Sequence, residues 1–147
     1  MNEERKLDEN SSAVQSHLNI IQNIIQRMAS NSALCKGWSV TLVSAILVVV
    51  ADQKEPSYAF IAIMPIALFL ALDVYYLALE KAFRKSYNNF IDKLHSEKIA
   101  TTDVYAVEPS GNIAFLSAKA IGSFAVWPFY ALLIITVILA RYIILAN

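Results

Sequence analysis

Trp38-Ser-Val-Thr-Leu-Val-Ser-Ala-Ile-Leu-Val-Val-Val-Ala51, then Asp52-Gln-Lys-Glu-Pro56, then an apolar run from Tyr58 to Leu79 holding one formal charge, Asp73: this stretch decides the fold. A helix needs about 20 apolar residues to cross a hydrocarbon core of roughly 30 Å. Leu34 to Glu80 supplies two such runs around a short polar connection, so the segment reads as a transmembrane helical hairpin. A third apolar stretch, Ile121 to Leu145, follows near the C-terminus. Backbone groups in hydrocarbon must bond internally, so these long runs imply helices, and the short alternating segments of a membrane barrel are absent. At 57 % hydrophobic residues and a mean hydropathy of +0.49, a 147-residue chain is too apolar for an ordinary soluble domain. The expectation is an all-α integral membrane protein. Its parts are an N-terminal segment with an amphipathic helix (1–33), the hairpin (34–80), a helix and loop extending the hairpin into the cytoplasm (81–119), and a third transmembrane helix (120–147).

The flanks of the hairpin orient it. Arg5, Lys6, Arg27 and Lys36 precede the first span, only Lys54 lies in the connection, and Lys81, Arg84, Lys85, Lys93, Lys98 and Lys119 follow the second. Basic residues stay on the cytoplasmic side, which puts the N-terminus and residues 80–119 inside and the C-terminus outside. Arg141 is the dissenter, near the outer end of the third span, where its long side chain can snorkel. No cleavable signal peptide is expected, because a long polar segment precedes the first apolar run.

Ahead of the hairpin, Val14, Leu18, Ile21, Ile25 and Met28 recur at steps of four and three, a heptad-like seam opposite the amides Asn19, Gln22, Asn23 and Gln26. Two readings are open for Leu18, Ile21, Ile25 and Met28: a face laid on the membrane or on neighbouring helices, or a seam that sets an oligomer. Gly37 permits a bend or a close approach before Trp38, which suits the headgroup level. Gly37, Thr41, Ser44 and Val48 share one face, a small, weakly polar stripe. Such a stripe lets helices approach closely or lines a wet pore.

An antiparallel hairpin folded about Lys54 brings Lys36, 18 residues before it, level with Asp73, 19 residues after it. A charge at the bilayer centre costs roughly 3 kcal/mol on lenient scales, so Asp73 should face protein or water. It is a structural clamp with Lys36, an ion-pathway or gating carboxylate, or a contact between subunits. Past the membrane, Leu79, Phe83, Tyr87, Phe90 and Leu94 carry an apolar stripe onward, and residues 12–30 are the natural cover for it. The expected helix runs unbroken from about Ser57 to His95, with Pro65 a possible kink point; Pro128 falls inside the third span. Thr101 to Asn112 reads as the one long loop, and Ile113 to Lys119 as a short amphipathic lead-in.

Chemistry-bearing motifs are missing. His17 and His95 read as solvated helix residues, Cys35 is alone, and no metal cluster, nucleophile constellation or phosphate loop appears. No enzyme activity and no cofactor are expected. Zero formal net charge excludes a strong global field for nucleic acid. Lys81, Arg84 and Lys85 form a juxtamembrane basic group; it orients the chain, or holds anionic lipid, phosphate or an oligonucleotide.

Arg27-Met28-Ala-Ser-Asn31-Ser32, Lys36-Gly37-Trp38, and Leu72-Asp73-Val-Tyr75-Tyr76-Leu77 with Glu80, Phe83-Arg84 and Tyr87 resemble a pattern in small bacterial membrane proteins. The chain resembles, over about residues 18–90, the SLATT-type effectors of anti-phage nucleotide-signalling systems, among which are the membrane effectors of Hailong-type systems. The third span departs from a plain two-span architecture. The resemblance implies a homo-oligomeric toxin or channel of the bacterial inner membrane that collapses ion gradients when a nucleotide or oligonucleotide signal changes. The other expectation is a non-conducting anchor that recruits a cytoplasmic defence enzyme. Membrane lipid is a partner in either case.

Overall fold

A computed structural model describes residues 8–145 of the chain, except for the side chain of Leu145. Arg5 and Lys6, part of the orientation count, lie outside the described residues. The described chain is all-α, and three of its helices are long and apolar enough to cross a membrane. In chain order the elements are α1 (Ser12–Gln53), a 3-10 segment (Pro56–Ala62), α2 (Ile63–His95), α3 (Thr101–Tyr105), α4 (Ile113–Ile121) and α5 (Trp127–Leu145).

The amphipathic helix and the first span are one helix of 42 residues. The expected boundary at residues 33 and 34 is not a break. Gly37 sits inside this helix on an exposed face without interrupting it, and a Cβ added there would meet nothing within 4 Å, so it admits no close approach within the protomer. The buried residues of α1 explain its continuity. Val14, Ile21, Met28 and Cys35 form one row at seven-residue spacing, and Ile25, Ser32 and Ser39 form a second beside it. Together they make one stripe facing α2, the element α1 touches most. The chain turns at Lys54, which adopts the left-handed conformation (φ 54°).

Pro65 does not kink the second helix. Its ring would clash with the carbonyl of Ile61, and it has no N–H to donate back along the chain. The segment before it winds as a 3-10 helix from Pro56 to Ala62, and α2 begins at Ile63 with Pro65 in its first turn. Pro128 behaves alike. It is the second residue of α5, where a missing N–H is tolerated. The third apolar stretch is therefore divided: α4 ends at Ile121, residues 122–126 turn, and α5 crosses the membrane alone. The expected loop at 101–112 contains the five-residue α3, whose first turn is closed by Asp103 accepting from the Ala100 N–H (3.0 Å).

The three spans agree in length. Lys36 to Gln53 is roughly 27 Å of helix and α5 roughly 28 Å at about 1.5 Å per residue. The 3-10 segment, at about 2.0 Å per residue, plus Ile63–Asp73 totals roughly 30 Å. Tyr130 donates to the Phe69 carbonyl (3.0 Å), one turn from Asp73, so α5 starts level with that residue. Lys36, Asp73 and Trp127 thus mark one membrane boundary, and the hairpin tip at Lys54 marks the other. Between them the outer faces are open: fewer than a quarter of the residues in the most apolar part of each span are buried within the protein. The inner faces meet in a core of Val43, Val50, Ala59, Ala62, Ile66, Tyr130 and Val137.

Beyond the boundary opposite the tip, α1 and α2 continue together as an antiparallel stalk. Its end is closed by Val14, Phe90, Leu94 and Val104 from α1, α2 and α3. Ile21, Ile25 and Met28 are 2 %, 7 % and 8 % exposed, and Leu18 is half-buried. The stripe proposed as an oligomerisation seam is thus covered within the protomer. Ile21, Ile25 and Met28 each contribute about 1.5–3 kcal/mol by burial there, and Leu18 less.

Candidate functional site

The spans converge on one polar cluster at the boundary. Asp73, on α2, has no exposure at all. The Lys36 ammonium lies 2.5 Å from its Oδ2, and the Ser32 hydroxyl, one turn earlier on α1, donates to Oδ1. Lys36 also donates to Ser32 Oγ (3.3 Å), which closes a three-membered network in which the hydroxyl both gives and receives. Cys35, a buried free thiol next to Lys36 in sequence, and Tyr130, bonded to the Phe69 carbonyl one turn from Asp73, complete the surroundings. Ser39 lies one turn further into the membrane, fully buried, and its hydroxyl has no hydrogen-bond partner among the described residues.

Each element puts its residue there for a simple reason. Cys35, Lys36 and Ser39 lie three, four and seven residues after Ser32, so they continue the stripe that α1 turns toward α2. Asp73 and Val74 are the α2 residues turned inward at that level. Tyr130 arrives from α5 because the turn at 122–126 starts that helix beside Asp73. A carboxylate in this position attracts the ammonium strongly, while Lys36, 24 % exposed, keeps contact with the boundary. The arrangement can hold charge at the membrane edge and fasten three helices together. Asp73 faces no open channel in the single protomer.

Thr41 and Ser44 lie elsewhere. They are exposed on α1, with Gly37 and Val48, facing away from α2 and α5. Thr41 returns its hydroxyl to the Gly37 carbonyl (3.0 Å), a local bond that leaves the stripe smooth and only weakly polar. Of the basic group, Arg84 is exposed and bonded to Glu80 (2.8 Å), Lys81 is half-buried and Lys85 is exposed.

A second constellation sits on the stalk. His17 is 3 % exposed rather than solvated, which corrects the sequence reading. Its ring stacks on Phe90 (4.2 Å between centroids), and Nδ1 lies 2.8 Å from the Val104 carbonyl, so Nδ1 must carry the proton it donates. Lys93 bonds Asp103 at 2.8 Å. That bond first, and the Ala100 N–H second, hold the Asp103 carboxyl below the usual carboxylate range. Ser86 donates to the Glu108 carbonyl (2.6 Å) and Asn89 to Ser110 (3.2 Å), strapping the loop along α2. These groups border a cavity of about 290 Å³ between α1, α2 and the loop. Its side chains hold one ammonium, Lys93, against two carboxylates, Asp103 and Glu108, so a bare phosphate finds no excess of positive charge there.

Among the described residues no group of three His, Cys, Asp or Glu could hold a metal ion. Ser32, Ser39, Tyr130 and His17 were not singled out from the sequence as site residues. Ser32 had a signal, its i, i+4 spacing from Lys36; Tyr130 had none, because nothing in the chain fixes where the third span docks. In comparison with known proteins, the chain matches no family model, no curated protein and no solved structure.

Proposed function

We propose that the chain is a membrane effector whose copies assemble into an ion-conducting oligomer, depolarising the inner membrane of a bacterium under control of a nucleotide or oligonucleotide signal. The observation that carries this reading is the exposed Gly37–Thr41–Ser44–Val48 stripe. The charged side chains at the membrane boundary are turned inward and paired, whereas this small, weakly polar face is turned outward. Such a face gains nothing from lipid and packs well against another helix or lines water. Three spans are too few to enclose a lumen, so conduction requires several copies, with Thr41 and Ser44 toward the shared axis. In this reading the basic stalk is cytoplasmic, following the positive-inside rule. Lys81 and Lys85, which have no ion pair among the described residues, are its anionic-ligand contacts. The protein acts without enzymatic chemistry of its own.

The test is expression in bacteria with a potential-sensitive dye, beside a mass measurement of the purified protein in detergent. Loss of potential that is abolished by Thr41→Leu/Ser44→Leu, with a multimeric mass for the wild type, supports the channel. A strict monomer excludes it. A second reading, a non-conducting anchor for a cytoplasmic defence enzyme, is favoured by Tyr105, an aromatic 81 % exposed on α3 at the far end of the stalk. Normal potential together with a co-purifying enzyme that is lost on Tyr105→Ala identifies that case.

A further inference from the structure

Arg141 is the one basic residue near the tip-side end of α5, and it has no carboxylate partner among the described residues. Its guanidinium carbon sits 4.6 Å above the centroid of the Phe60 ring. Its Nε is sealed from solvent and has no hydrogen-bond partner among the described residues. No ion pair links it to a carboxylate among the described residues, and Asp52 and Glu55 at the hairpin tip are exposed to water. Beside it lies a cavity of about 300 Å³ lined by Phe60, Ile63, Ile134, Val137, Ile138 and Tyr142. Ile63, Ile134, Ile138 and Tyr142 are exposed on the lipid-facing surface, so the cavity opens toward the bilayer.

We propose that this cavity binds an anionic phospholipid of the tip-side leaflet, with its phosphate on Arg141 and part of one acyl chain among the isoleucines. Depth, charge and shape each favour that occupant. Leu145 ends α5 four residues beyond Arg141, about 6 Å along the helix, which places the guanidinium just below the boundary where phosphates and glycerol lie. A cation there needs water, a carboxylate or a lipid phosphate to compensate it. The planar fork of arginine matches a phosphodiester, and stacking on Phe60 holds it in one plane. The lining is apolar apart from Arg141 and the Tyr142 hydroxyl, which suits a chain of methylenes and not a second protein's acidic loop. A zwitterionic lipid brings its own cation to the site, so an anionic one binds better. The inference is independent of conduction.

The experiment is native mass spectrometry of the detergent-purified protein after equilibration with equimolar phosphatidylglycerol and phosphatidylcholine. The wild type is expected to retain about one phosphatidylglycerol per chain, at least several-fold over phosphatidylcholine. Arg141→Gln should lose that preference, Arg141→Lys should keep part of it, and Ile138→Trp should lose retention by filling the cavity with the guanidinium still present. Circular dichroism confirms that each variant is folded, and the lysine and tryptophan variants keep the test decisive if the glutamine variant is not. Equal retention by wild type and Arg141→Gln, or by wild type and Ile138→Trp, overturns the proposal. So does displacement of the lipid by millimolar inorganic phosphate, which would make this a free-anion site. A loss of multimers on Arg141→Gln that Glu55→Gln reproduces, with no change in bound lipid, assigns Arg141 to a neighbouring copy instead.

Discussion

Asp73 and Lys36 decide between clamp and gate by what each leaves behind when the other is removed. Asp73→Asn keeps the shape but strands the Lys36 ammonium and weakens the bond from Ser32. Breaking a buried pair costs about 3–5 kcal/mol, and the partial exposure of Lys36 puts this one near the lower end. The expected outcome is a lower melting temperature in detergent and less protein in the membrane. The double variant Lys36→Met/Asp73→Leu removes both charges together and should recover most of the loss. Wild-type stability of Asp73→Asn with altered conductance would make the carboxylate a gate. Ser39 offers a complementary case, since its buried hydroxyl is unpartnered among the described residues. Ser39→Ala removes a group that costs about 1–3 kcal/mol to leave unbonded. Melting of Ser39→Ala should therefore occur at or above the wild-type temperature; a clear drop would mean that a partner from another copy, or water, reaches the hydroxyl in the assembly.

Among the elements, α3 is the most lightly attached, and its attachment is partly electrostatic. The Asp103 carboxyl is held below its ordinary pKa by Lys93, so the folded form binds fewer protons than the unfolded one. The contribution is fully present above the unfolded carboxylate value of about 4. It fades as pH falls through the lower folded value. Because Lys93 is half exposed, it is worth at most about 1 kcal/mol. Hydrogen exchange of the Val104 and Tyr105 amides should therefore report a larger increase in opening on acidification for the wild type than for Asp103→Asn, once intrinsic rates are divided out. An identical pH dependence in both would remove the pair from the account. The element scale also shows what the chain makes legible. Three helical spans follow from apolar run lengths, and the level of Lys36 with Asp73 follows from hairpin counting. The side of His17 facing Phe90 follows from its three-residue step from Val14, but its burial depends on α3 folding back over it, which no local pattern announces. Pro65 reads as a possible kink point and Pro128 as interior to the third span because helix starts are invisible in a uniformly apolar run. The structure places each in a first turn, so Pro65→Ala and Pro128→Ala should shift stability by far less than the roughly 3 kcal/mol of a mid-helix proline.

At the scale of the whole molecule, the covered and uncovered faces separate folding from assembly. The seam at Ile21, Ile25 and Met28 is closed inside the protomer, so an oligomer must use other surfaces, and the Gly37–Thr41–Ser44–Val48 face is open. Gly37 tests that assignment from two directions. Within the protomer a Cβ at this position meets nothing within 4 Å, and alanine in a helix interior is favoured over glycine by about 0.5–1 kcal/mol. Gly37→Ala should therefore melt slightly higher than the wild type when the protein is dispersed as monomers in excess detergent. Gly37→Leu should fold as well, because the space is equally open, yet it puts a branched chain where two backbones would approach in an assembly. The expected result is a folded Gly37→Leu protein whose detergent mass falls to that of the protomer and whose expression leaves the membrane potential intact. A Gly37→Leu protein that assembles and depolarises like the wild type would mean that this stripe faces lipid and that conduction, if present, is built on another face.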